Sequence, residues 1–166
     1  MSDGNLYSTD ILAWSEQQAE VLRGLAARAD LPNALDLSHV VEEIEGVGQS
    51  EFNTVKSLIR QILIHAIKCA VDPEAPSLTH WLDEIDTWQG DLADRMTPSM
   101  RRKIDLDALW RRAAAQAERS LISQGHANAA AMVRVADLDG PCPVSLDALR
   151  GSTTDPKGLV LLIQSP

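Results

Sequence analysis

A carboxylate and an imidazole stand where the longest helical pattern of this chain calls for apolar side chains. The run Asp36–Val71 carries Glu51 and His65 on its oily stripe. Polar groups on a core stripe need a partner or a purpose. A histidine beside a carboxylate is half of a general-base or metal site. Around them stand other groups able to do chemistry: the cluster Glu42, Glu43 and Glu45, the pair His80 and Glu84 four residues apart, Lys68, and the thiol of Cys69.

Spacing limits what these groups can do together. Glu51 and His65 are fourteen residues apart, about 21 Å along one straight helix, too far to share an ion unless that helix breaks and folds back. Glu43 and Glu45 flank the buried side and Glu42 points away, so the three cannot converge on one ion from a single helix. Ferritin-like metal bundles use Glu-x-x-His, which this chain lacks. Ser50 and Ser57 have no nucleophile elbow, and Cys69 on an apolar face behaves as a small hydrophobe. Gly46-x-Gly48 lacks the preceding strand and third glycine of a nucleotide-binding turn. No metal set and no cofactor-binding motif emerges.

The elements that would position these groups are helices. Asp10 is an N-cap, and Ile11, Trp14, Leu22 and Leu25 keep helical spacing to about Arg28. Pro32 marks the break that follows. Asp36 caps the long second helix, whose stripe includes Leu37, Val40, Val41, Ile44, Gly48, Glu51, Val55, Leu58, Ile62 and His65. The stripe keeps its phase across Gly46 and Gly48, which favours one continuous or mildly bent rod. The glycines then mark a kink or a close approach by a neighbour. Pro73 and Pro76 make a turn, and Ser77 caps a third helix over 78–96 with Leu78, Trp81, Leu82, Ile85, Trp88 and Leu92 inward. Thr97–Pro98 starts a fourth helix to about Gln124. A short 98–104 turn with a fresh cap at Asp105 is the alternative. Residues 128–135 suit a turn or two of helix, 139–143 a rigid loop, and Ser145 caps a short helix closed by Gly151. The tail, 158–164, packs back, pairs as a strand or serves a subunit contact.

Short turns make consecutive helices antiparallel. The expected fold is all-α: an antiparallel bundle of four main helices with a long second helix and a short C-terminal helix, one domain over 1–150 and a tail over 151–166. Trp14, Trp81, Trp88 and Trp110 are its expected anchors. Counting from Asn33 sets Arg23 level with Glu43 as an ion pair. It sets Glu51 level with Trp14 and Ser15, as acceptor for the indole N–H or the hydroxyl, so Glu51→Ala should cost about 1–3 kcal/mol. Counting from Pro73–Pro76 sets His65 level with Glu84 and Trp81.

Composition narrows the function. The 166 residues carry a formal net charge of −9, which opposes phosphate contacts and a nucleic-acid partner. The basic runs Arg101–Lys103 and Arg111–Arg112 alternate with acids and form a solvated face. Acidic charge also disfavours a membrane surface, and no apolar stretch is long enough to span one. The N-terminus has no basic region and no apolar core, so it does not suit a signal peptide. Two cysteines without metal spacing suit a reducing cytoplasm.

The order Asp10-x-x-x-Trp14, LDLSHVVEEIEGVGQSE over 35–51, His65–Ala66–Ile67–Lys68, Trp81 to Ile85 and Cys142–Pro143–Val144–Ser145–Leu146 resembles the bacterial DUF29 family over about residues 7–150. Cys69 stands where that family usually has an aromatic residue, and Val144 where it usually has Tyr. The resemblance implies an α-helical fold and a bacterial source. It assigns no activity and no catalytic residue.

Two functions remain. The first is a non-enzymatic interaction or accessory module, with homodimerisation or another protein as partner. The second is a metal-dependent or acid–base enzyme centred on His65 with Glu43, Glu51 or Glu84, which requires a carboxylate from another helix beside His65 and room for a ligand.

Overall fold

A computed structural model describes residues 5–28, 30–135 and 140–164, with the side chains of 134 and 135 excepted. Asp139, the first residue of the expected loop, lies outside the described residues, as do residues 1–4. The described residues form helices and no strand: α1 (Leu6–Thr9), α2 (Ile11–Leu25), α3 (Leu37–Val71), α4 (Leu78–Arg95), α5 (Pro98–Lys103), α6 (Leu106–Ser123), α7 (Ala127–Val135), α8 (Leu146–Leu149) and α9 (Pro156–Gln164). None is long and apolar enough to cross a membrane.

Capping explains several boundaries. Asp10 accepts from the Ala13 amide at the start of α2, as its position predicts. Asp105 accepts from the Ala108 amide and Ser145 from the Ala148 amide. The cap at Asp105 corrects the expected single helix over 98–124: the chain takes the alternative, a short α5 and then a fresh α6. Gly125 (φ 85°) and Gly151 (φ 69°) occupy the left-handed region just past α6 and α8, where glycine costs least. The tail, left open above, is helix α9, and it packs on α4 with Leu159 and Val160 buried.

The chain resolves into two compact units. One is Met1–Thr54 with Met96–Lys103, the other Val55–Arg95 with Ile104–Pro166. Helix α3 runs unbroken and gives its first half to one and its second half to the other.

In the first unit α2 and α3 run antiparallel. Arg23 bonds Glu45, and Ser15 meets Gly48, so one number falls as the other rises. Gly48 of α3 meets Leu12 and Ser15 of α2, and Ala19, Val41 and Phe52 are buried in the same unit. The Asp10 carboxylate ties α2 to the segment at α5. It accepts from the Ser99 amide at 2.8 Å, the Ser99 hydroxyl at 2.5 Å and the Thr97 hydroxyl at 2.8 Å. Burial works against that carboxylate, yet these bonds and the Ala13 amide outweigh it and hold its pKa below the ordinary value.

The second unit has a different logic. From Ile62 to Cys69 the α3 side chains are buried almost all round, with His65 alone less than fully buried, its side chain 15% exposed. A narrow stripe describes α3 before Val55, not after it. A helix apolar on every side is a central one. Trp81 and Trp110 are buried anchors, whereas Trp14 and Trp88 are only half-buried. On α4 the buried line is Trp81, Ile85, Gln89 and Leu92. Gln89, which the apolar pattern passes over, donates to the Ala148 carbonyl at 2.9 Å and so holds the C-terminal segment.

Candidate functional site

Two features of the molecule can carry function: a polar cluster in the second unit and an apolar flank in the first.

The cluster is built on α3 and α4. His65 Nε2 lies 3.0 Å from Glu84 Oε2, and His65 Nδ1 lies 3.1 Å from the Gln61 carbonyl one turn back. The expected register between these two helices therefore holds at this pair. Trp88 packs edge-on against the imidazole, centroids 4.8 Å apart. Lys68 is buried, and its Nζ sits 4.2 Å from the centroid of the Trp81 ring, a cation–π contact. His80 Nε2 approaches the other Glu84 oxygen at 3.6 Å.

Electrostatics make the imidazole neutral at ordinary pH. Burial pushes the His65 pKa down. The Gln61 carbonyl opposes this, the Lys68 ammonium adds to it, and the Glu84 carboxylate opposes it again. Burial likewise lowers the Lys68 pKa. The ring thus faces two acceptors, the Gln61 carbonyl at Nδ1 and the Glu84 carboxylate at Nε2, and a neutral imidazole donates to only one of them.

Among the described residues, no three His, Cys, Asp or Glu side chains group so as to hold a metal ion. Nor does either described cleft open on His65. One, about 460 Å³, is lined by Arg23, Ala26, Leu37, Val41, Glu42 and Glu45. The other, about 450 Å³, is lined by Val71, Asp72, His126, Ala129 and Met132. Here His126 Nδ1 lies 2.6 Å from Asp72, a link between the α6–α7 turn and the end of α3 that sequence spacing does not show. Burial pushes the Cys69 thiol up to about 11, as expected of an inert core cysteine.

The other candidate residues lie in the first unit. Glu43 is exposed and Glu51 half-buried. The expected Arg23–Glu43 pair is corrected to Arg23–Glu45 at 2.5 Å, because Glu45 lies nearer the contact line of the two helices. Ser15 donates to the Leu12 carbonyl, and Trp14 takes Tyr7 edge-on at 4.8 Å.

The apolar flank lies beside the α2–α3 contact. Val21, Val40 and Val47 are 57%, 38% and 47% exposed, and Tyr7 and Leu35 are exposed as well. Val40 is thus not the core residue the stripe suggests. The signal for this flank is present in sequence as a stripe too wide for one neighbour to cover.

The family model described as "Domain of unknown function DUF29" matches residues 6–148. The chain belongs to the DUF29 family. Its fold is similar to the crystal structure of an alpha-helical protein of unknown function from Rhodospirillum rubrum, at 37% identity. That likeness covers 93% of this chain and 95% of the other, with a TM-score of 0.81. No curated protein matches. The all-helical fold expected above agrees with that structure, and both the family and the structure are described as of unknown function.

Proposed function

We infer that this DUF29 protein is a non-enzymatic helical module that acts by binding another protein through the flank of α2 and the first half of α3. One observation carries the reading: Val21 of α2 and Val40 and Val47 of α3 are all exposed in the same unit, and helical spacing sets them on one flank of the pair. Exposed apolar side chains gathered on one face mark an interaction site, whereas scattered ones do not. The acidic charge and the two free thiols favour a cytoplasmic setting in a bacterium.

The catalytic reading meets one of its two requirements. A carboxylate from another helix does reach His65, but both described clefts are lined by other residues. The ring packed by Trp88 and the ammonium packed on Trp81 support a structural role for the cluster.

Hydroxyl-radical footprinting tests the interaction reading. Val21, Val40 and Val47 should be labelled in the dilute purified chain and protected in extract of the source cells. Equal labelling in both would overturn it.

A further inference from the structure

We propose that the occupant of this flank is a second copy of the chain, and that two α2–α3 hairpins close into a four-helix bundle about a two-fold axis. The inference rests on the interaction reading above and names its partner.

The contact line of α2 runs through buried Ser15 and Ala19 to half-buried Leu22, and Ala26, exposed just past the helix, continues its spacing. A second line, Trp14, Gln18, Val21 and Leu25, precedes it by one residue at each step. On α3 the buried line holds Val41, Gly48 and Phe52. Its second line, Val40, Ile44, Val47 and Glu51, again stands one residue earlier. One residue is a rotation of about 100°. In an antiparallel pair, lines rotated in the same sense from the contact fall on the same side. Arg23 and Glu45 are rotated in the opposite sense, and their bond marks the opposite side. The two second lines therefore form one continuous face.

Both lines step by four, three and four residues, the seam spacing of a bundle core. A hairpin with such a seam on each helix is half of a four-helix bundle. The residues pair in layers across the hairpin: Trp14 with Glu51, Gln18 with Val47, Val21 with Ile44, Leu25 with Val40. A two-fold axis perpendicular to the helices sets the Trp14–Glu51 layer of one copy on the Leu25–Val40 layer of its partner. No Glu51 then faces its own copy, and Glu51 sits in an end layer near water. The parallel arrangement would bring the two carboxylates together.

Size agrees with this. Two helices side by side are about 20 Å wide, and the shared length is about 22 Å. That footprint, about 440 Å² per partner, is at the small end for a specific interface and suits a weak dimer that forms at high concentration. A lipid surface fits poorly, because neither line contains Lys or Arg.

Sedimentation equilibrium of the full chain, with Val21→Asp and Val47→Asp as separate variants, is the test. The wild-type chain should be a dimer at ~100 µM. Each variant should weaken association at least about a hundredfold while its helical circular dichroism stays unchanged. Gln49→Asp, on the exposed far side of α3, should stay dimeric. Dimers that survive both valine substitutions would overturn the proposal. So would a monomeric wild-type chain. If that monomer is nevertheless footprinted in cell extract on the same valines, the second copy is excluded and the interaction reading stands. Absence of protection as well would overturn both.

Discussion

Ser15 and Gly48 meet so closely that a Cβ at position 48 would lie 1.9 Å from the Ser15 Oγ, 3.0 Å from its Cβ and 3.1 Å from the Leu12 backbone. The helices approach to within a glycine's thickness here. The Ser15 hydroxyl is turned back onto the Leu12 carbonyl at 2.9 Å, and that closes the contact.

Gly48→Ala should therefore destabilise by about 1–3 kcal/mol, since strain outweighs the helix propensity gained. Gly46 has nothing within 4 Å of its added Cβ. Gly46→Ala should stabilise by up to ~1 kcal/mol. Urea denaturation of both variants checks the pair. Equal effects of the same sign would mean the helices are further apart than described.

Asp10 receives four donors from α2, Thr97 and Ser99. Asp10→Ala should cost ~3 kcal/mol, because buried donors lose their acceptor. Its folded pKa lies below the ordinary carboxylate value. The stability it contributes is complete above about pH 4 and falls away as pH drops through the folded value. Asp10→Asn should remove that part of the acid slope in a pH series of unfolding curves.

His65 titrates below an ordinary histidine because it is buried. The folded state resists its protonation, so its contribution is complete above about pH 6.5 and erodes as pH falls toward the folded value. Lys68→Met removes a cation on the same helix and should move the His65 pKa upward. Glu84→Gln removes the opposing carboxylate and should move it further down. NMR titration of the ring protons reads both. An unchanged value in both variants would mean that neither charge is felt at the ring.

Cys69 and Cys142 are both free, and burial raises both thiols to about 11. In the native chain each should react with a thiol reagent at pH 8 at least about a hundredfold more slowly than free cysteine. Both should react promptly in guanidinium. A fast native phase would show one of them to be accessible as thiolate.

Local rules carried much of the fold into view. Asp10 and Ser145 cap where their positions and side chains demand, whereas the cap at Asp105 was legible only as the alternative to one long helix. The unbroken stripe of α3 also let the His65–Glu84 register be counted from the Pro73–Pro76 turn. Counting along two helices resolves about one turn, which points to Glu43, whereas the ion pair needs the side of the contact on which Glu45 stands. A polar residue such as Gln89 becomes core only when a distant acceptor, here the Ala148 carbonyl, reaches it.

The sequence by itself determined that the chain is helical and where several helices begin, because capping, proline and periodicity act within a few residues. Tertiary structure alone decided which side of each helix is covered. It placed Lys68 on Trp81, drew Thr97 and Ser99 onto Asp10, and left Val21, Val40 and Val47 in water. Burial depends on which neighbours arrive, and periodicity states only that some apolar surface awaits one.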